Sequence, residues 1–265
     1  MDWLQIVVLS LIQGVTEFLP VSSSAHLILV PVFSDWPDQG LAFDVALHVG
    51  SLAAVIIYFR EELLRMIGSW FKSATGKGTD EDARLAWWVI LATIPVGVVG
   101  LACKDLIEQY ARSPVLLAFG LIVFGIVLGV VDWRFRGSRS EYQMSWRDAL
   151  LIGLSQALAL IPGTSRSGIT MTMALMLGLS REASARFSFL LSIPVIVLAG
   201  GLETLDLVES GIDVNWSDLA LGTVLSGVSA FLCIHFFLSF IKRIGMQPFV
   251  IYRILLGIAL LWLFA

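Results

Sequence analysis

Residues 85–103, 113–131 and 219–241 contain no Asp, Glu, Lys or Arg. Each run comes close to the roughly 20 residues that a helix needs to cross about 30 Å of hydrocarbon. A helix that is apolar all round must be buried in protein or in lipid. The rest of the composition agrees with lipid. Only 14% of the residues are charged, against about 25% in an ordinary soluble domain, and the mean hydropathy is +0.87. The chain is therefore read as an all-α polytopic membrane protein with membrane lipid around it. The net charge of −4 is small and says nothing about nucleic acid; no basic stripe interleaved with aromatics is visible, so no nucleic-acid partner is expected. Cys103 and Cys233 are isolated in apolar runs and read as packing residues. Asp2 and the missing small-residue cleavage site make the N-terminus a retained segment and not a signal peptide.

Two stretches break the apolar pattern in the same way. An apolar segment from residue 3 stops at Pro20 and is followed by Ser22-Ser23-Ser24 and a second short apolar segment. Further on, Ser155-Gln156 leads to Pro162, then to Gly163-Thr164-Ser165-Arg166-Ser167-Gly168 and another short apolar segment. Aligning Pro20 with Pro162 places Ser23 on Ser165. All four arms are too short to span, so each pair predicts a re-entrant hairpin. Such hairpins are tolerated at membrane depth only when buried or lining a wet cavity.

The predicted plan is one membrane domain, 1–265, built as an inverted-topology repeat of about ten helices. Repeat one, 1–133, holds a hairpin at 3–33 and spans at 41–59, 84–104 and 113–133. Repeat two, 146–265, holds a hairpin at 146–178 and spans at 182–206, 218–241 and 246–265. Three spans between the hairpins make the second enter from the opposite face, so the tips meet near the midplane. Residues 60–72 read as an amphipathic helix and 73–82 as a flexible linker. Connections on one side carry Arg60, Arg65, Lys72, Lys77, Arg84, Arg134, Arg136, Arg139, Arg147, Arg181, Arg186, Lys242 and Arg243; those on the other carry only Lys104 and Arg112. The positive-inside rule puts the first group in the cytoplasm. The mouth of the first hairpin, with Asp206, Glu209, Asp213 and Asp218 around it, then faces outside.

The breaks hold the candidate chemistry. Gln13 and Glu17 share a helical face, and a carboxylate inside a membrane costs roughly 2–3 kcal/mol on insertion scales, which marks it as functional. Its oxygens suit a hard cation such as Mg²⁺ or Ca²⁺. Ser22 reads as an N-cap, and the helix behind it offers free N–H groups to an anion. Ser24 belongs to the same provision, and Thr164, Ser165, Ser167, Gly168 and Thr170 repeat it from the other side. Arg166 adds a planar fork that fits phosphate. His26 lies one turn beyond Ser23, and a Ser–His pair at that spacing supplies a nucleophile with a base or an acid. His48 is either an outer supporting residue of the site or a helix–helix contact, with the contact favoured. His235 reads as structural. Arg253 either pairs with a carboxylate or faces the cavity.

These residues carry a resemblance to the undecaprenyl pyrophosphate phosphatase family, the bacterial BacA/UppP enzymes. Gln13 and Glu17 resemble its first motif, Glu or Gln spaced by one turn from Glu, which continues through F-L-P-V-S-S-S-A-H to His26. Pro162-Gly163-Thr164-Ser165-Arg166-Ser167-Gly168-Ile169-Thr170 resembles the second, P-G-x-S-R-S-G-x-T. The 180–189 helix and the Tyr252-Arg253 pair resemble further family features, so the likeness covers essentially the whole chain. It implies hydrolysis of a polyprenyl diphosphate lipid to its monophosphate at the outer face of the bacterial plasma membrane. That step recycles the carrier for cell-wall synthesis. It also implies a divalent cation, held by Glu17 and Gln13, and a link to bacitracin resistance. A homodimer is left open.

In the expected mechanism Ser23 attacks the terminal phosphorus, His26 shuttles the proton, Glu17 holds metal or activates water, and Arg166 neutralises charge. His26 or metal-bound water as nucleophile is the competing version. The same architecture also describes secondary transporters, so a flippase for lipid phosphate, using the same anion site, is the alternative.

Overall fold

The computed structural model describes residues 1–34, 36–104, 106, 109, 113–210 and 214–264. Arg112 and Asp213, which entered the charge pattern above, lie outside the described residues.

Among the described residues eleven α-helices follow in chain order: α1 (Trp3–Thr16), α2 (Ser23–Ser34), α3 (Leu41–Tyr58), α4 (Arg60–Ala74), α5 (Glu81–Ala102), α6 (Pro114–Arg134), α7 (Trp146–Ala157), α8 (Arg166–Met176), α9 (Arg181–Ser210), α10 (Trp216–Ile244) and α11 (Gln247–Phe264). Six of them, α3, α5, α6, α9, α10 and α11, are long and apolar enough to cross a membrane. The region expected as a linker at 73–82 is shorter than that, because α4 runs to Ala74 and Asp80 caps α5 by accepting from Ala83 N–H. The remaining pairs, α1–α2 and α7–α8, are short helices parted by a break, as their prolines and serines dictate.

Packing runs between the halves of the chain more than within them. Helix α1 lies chiefly on α10, and α7 lies chiefly on α5, so each broken pair rests on the second long helix of the other half. Helices α6 and α11, the third of each half, pack on one another, and α3 packs on α10. The exchange places the two breaks side by side. Ser167 Oγ of the second break donates to Leu19 O of the first at 2.8 Å.

The breaks also fix a register that proline alignment misses. Among the described residues two non-glycine residues have positive φ, Ser22 at 73° and Ser165 at 69°. Each immediately precedes its short helix, α2 or α8. Each also shares a hydrogen bond with the serine two residues on: Ser22 with Ser24 at 3.3 Å, Ser165 with Ser167 at 3.2 Å. Ser22 is therefore the counterpart of Ser165, and Ser23 is the counterpart of Arg166. The second loop is one residue longer between proline and helix. The same register pairs Gln13 with Gln156, both fully buried.

The ends of α9 act as a ruler. At its start, Arg181 Nε meets the fully buried Asp132 at 2.6 Å, and Arg186 is clamped between Glu62 and Glu141. Near its far end stands Glu203, roughly 30 Å away at 1.5 Å per residue.

Candidate active site

The carboxylate of Glu17, just beyond the last turn of α1, is the hub. Its Oε2 accepts from Ser23 Oγ at 2.7 Å and from Gln13 Nε2 at 3.0 Å. Its Oε1 faces Arg166 Nη2 at 3.3 Å. His48 Nε2 stands 3.6 Å from Oε2. Four helices thus deliver side chains to one buried carboxylate: α1, α2, α3 and α8. Such a charge is tolerable in an apolar surround only when paired and hydrogen-bonded in this way.

Among the described residues Arg166 uses only part of its fork. Nη1 donates to Ser188 O at 3.0 Å and Nη2 to Glu17, which leaves further N–H groups of the five for an incoming anion. Beside it lies a cavity of about 200 Å³. Glu17, His48, Arg166 and Glu203 supply its charged and ionisable wall, Ser22, Ser23, Ser24 and Ser165 its hydroxyl wall, and Val195, Ile196 and Ala199 of α9 an apolar wall. The N-termini of α2 and α8 both face this space, so backbone N–H groups and two helix dipoles add to the pull on a negative group.

Among the residues expected to bind the anion, Ser22, Ser24, Ser165 and Arg166 line the cavity. Gln13 is outside the lining and reaches the site through Glu17; its Oε1 is buried and has no hydrogen-bond partner among the described residues. Thr164, Ser167, Gly168 and Thr170 stand outside the cavity lining and pack the second break against its neighbours instead: Thr164 O accepts from Arg253 and Ser167 Oγ donates to Leu19 O. Ser165 Oγ caps α8 by accepting from Gly168 N–H at 3.2 Å, and Thr170 Oγ1 bonds Ser188 Oγ at 2.8 Å. A Cβ on Gly168 would lie 2.7 Å from Arg253 Nη1, which accounts for the glycine there.

The Ser23–His26 pair read from spacing does not form. Ser22 O can only accept, so His26 Nδ1 donates to it at 2.8 Å. In the neutral ring Nε2 then accepts from Tyr252 Oη at 2.6 Å, with the two rings stacked. The proton positions follow from that network. Spacing of one turn puts both residues near each other along α2, but their side chains diverge. Ser23 faces Glu17, and His26 faces α11.

The reverse holds for His48, favoured above as a helix–helix contact: it stands in the cavity wall. Its Nδ1 donates to Asp44 O at 2.8 Å, so Nε2 is the atom turned to Glu17. Glu203 escaped the sequence reading; an acid inside an otherwise apolar stretch was the available signal. Arg253 takes neither of its expected roles. It is fully buried, and among the described residues its partners are all carbonyl oxygens.

A divalent cation can be tested against this donor set. Among the described residues no three His, Cys, Asp or Glu side chains group closely enough to hold a metal. One or two carboxylates, hydroxyls and the orphaned Gln13 Oε1 do fit an ion that arrives with phosphate oxygens, the usual Mg²⁺ arrangement.

Comparison with known proteins adds the family. The family described as "Bacitracin resistance protein BacA" matches residues 6–259. The chain is 59% identical over 268 residues to "Undecaprenyl-diphosphatase 2" of Stutzerimonas stutzeri (strain A1501), covering 100% of this chain and 99% of that protein. It is 55% identical to the undecaprenyl-diphosphatase of Nitrosococcus oceani and 53% identical to that of Campylobacter curvus, with 100% of each chain covered in both comparisons. With its whole length matched and both breaks in place, the chain belongs to the BacA family.

Proposed function

We propose that this protein is an undecaprenyl-diphosphatase. It hydrolyses the lipid diphosphate to undecaprenyl phosphate and inorganic phosphate, and so returns the carrier to cell-wall synthesis. The observation that carries the reading is the 2.7 Å hydrogen bond from Ser23 Oγ to Glu17, beside Arg166 and at the edge of an anion-attracting cavity. Anion binding alone has no use for a hydroxyl aimed at a carboxylate. A nucleophile and its base need that contact.

The chain's residues divide the reaction as follows. The diphosphate enters from the Glu203 end, and its terminal phosphoryl group rests against Arg166 and the N-termini of α2 and α8. Ser23 Oγ attacks the terminal phosphorus as its proton passes to Glu17. The bond to the bridging oxygen breaks, and the prenyl monophosphate leaves with that electron pair. Water then attacks the phosphoserine, restores Ser23 and yields inorganic phosphate. Arg166 and the helix N-termini meet the charge on the phosphoryl oxygens, where most of the rate enhancement of such transfers arises. Glu17 and Gln13 would hold a divalent cation, which supplies further charge neutralisation when bound.

The two short-helix pairs are read as re-entrant, since neither α1 with 14 residues nor α2 with 12 can span. The cavity lies toward the Glu203 end of α9, away from the Arg181 and Arg186 end. With the arginine-rich end in the cytoplasm, the site opens outside the plasma membrane. Toward that inner end, the space below the breaks is filled by Phe18, Phe189 and Phe237, an arrangement that favours a one-sided enzyme over the transporter.

The test is release of inorganic phosphate from a prenyl diphosphate by the purified protein in detergent, where no second compartment exists. Wild type should release phosphate, while Ser23→Ala and Glu17→Gln should lose roughly a hundredfold or more of the rate. Arg166→Lys should also be poor, because a point charge does not replace the fork. Full activity in Ser23→Ala would remove the serine mechanism. No release by wild type would remove the reading.

A further inference from the structure

Arg253 presents an unusual combination: a fully buried guanidinium in α11 whose partners, among the described residues, are five backbone carbonyls. They come from three separate segments. Nη1 donates to Pro20 O at 3.3 Å in the first break. Nη2 donates to Gly163 O at 3.0 Å and Thr164 O at 2.8 Å in the second. Nε and Nη2 reach Leu121 O and Gly120 O of α6, both at 3.3 Å. One planar group therefore ties both breaks to one helix.

The chemical consequence follows from peptide geometry. In a trans peptide, C=O and N–H point in opposite directions, and the chain has no cis bond among the described residues. With Thr164 O turned into Arg253, the N–H of Ser165 must turn the other way. Ser165 lines the cavity, and its N–H has no acceptor among the described residues. A carbonyl oxygen facing the cavity instead would repel a phosphate. Ser165 itself holds φ 69°, a conformation that costs a non-glycine residue free energy and persists only when its surroundings impose it.

We propose that Arg253 is a positioning residue for phosphoryl transfer. It turns the carbonyls of both breaks away from the anion and the Ser165 N–H toward it, without touching substrate itself. The proposal rests on the diphosphatase reading, and it names a residue of that site whose task is orientation. Lysine keeps the charge but cannot serve five carbonyls spread over three segments.

The experiment compares Arg253→Lys, Arg253→Met and Arg253→Ala with wild type by phosphate release, by melting temperature in detergent and by protection against melting with inorganic phosphate. Phosphate protection needs no turnover, so it reads the proposal even if the prenyl substrate is misassigned. Expected in Arg253→Lys is a fall in kcat/KM of roughly a hundredfold, the scale for losing an oxyanion donor. Weaker phosphate protection should accompany it while the fold still melts cooperatively. Added guanidinium should restore activity and phosphate protection in Arg253→Ala. Wild-type kcat/KM and phosphate protection in Arg253→Lys would overturn the proposal. Losses that follow melting temperature in every variant, with no rescue by guanidinium, would also overturn it by leaving Arg253 a stabilising role only. Absence of phosphate release by wild type would count against the enzyme reading and leave the phosphate-protection comparison standing.

Discussion

Arg166 meets Glu17 at 3.3 Å although 149 residues of chain separate them. The contact joins the two breaks and places the positive and negative members of the site on opposite halves of the chain. Neither half assembles it alone, because Leu160 occupies in the second break the place that Glu17 holds in the first once Ser22 is aligned with Ser165.

Ser23 and Ser22 should separate cleanly by mutation. Ser23 donates to Glu17, whereas the Ser22 side chain, among the described residues, bonds only its neighbour Ser24. Ser23→Ala is expected to lose roughly a hundredfold or more in kcat. Ser22→Ala is expected to stay within about tenfold of wild type, since it keeps the backbone carbonyl that His26 binds. Equal losses from the two would show that the serine run acts as a whole.

His26 is expected to matter more for stability than for chemistry. Its ring ties Ser22 O to Tyr252, and removing such bonds costs about 0.5–1.5 kcal/mol each. His26→Ala should lower the melting temperature, and Tyr252→Phe should do so less. Complete loss of phosphate release at an unchanged melting temperature would instead put His26 in contact with substrate.

His48 can be examined with a shape argument. Glutamine can place its amide near the position of Nε2, whereas leucine fills the volume without a polar atom. His48→Gln should keep activity within a few-fold, and His48→Leu should lose roughly tenfold, about 1.4 kcal/mol of barrier. Matching rates for glutamine, leucine and wild type would make His48 a packing residue.

Gly168→Ala tests how tightly the second break is packed. The added Cβ would meet Arg253 Nη1 at 2.7 Å and Ser165 Oγ at 3.3 Å. Activity should fall by roughly a hundredfold, with a smaller loss for Gly200→Ala, where the space beside the glycine is open. Wild-type kcat in Gly168→Ala would mean that the break yields without consequence.

The start of α7 gives a prediction for pH. Burial raises the Asp148 carboxyl, but the Arg139 guanidinium and the Ser145 backbone and hydroxyl outweigh it and hold it below the usual carboxylate range. A lowered folded value makes this stabilisation complete above the unfolded value near 3.9 and lost as pH falls through the folded one. Asp148→Asn should therefore lower the melting temperature at pH 7 and converge with wild type in acid. A constant difference down to about pH 2 would show that the carboxylate charge contributes nothing.

Sequence alone determined the number of apolar helices and the two breaks. Both properties are local: run length against membrane thickness, and proline or serine against helix continuation. It also determined which residues were candidates, because a carboxylate or a guanidinium in an oily segment demands a partner. It did not determine which partner. Ser23 chose Glu17 over His26, His48 turned inward, Glu203 joined the wall and Arg253 gripped carbonyls. Each outcome depended on how helices from different halves rotate against one another. The one-residue difference between the loops was settled by backbone angles and serine pairs, which packing fixes and which a proline alignment does not record. Helix existence is decided by energies within a few turns, whereas side-chain pairing across more than a hundred residues is decided by the packing of the whole bundle.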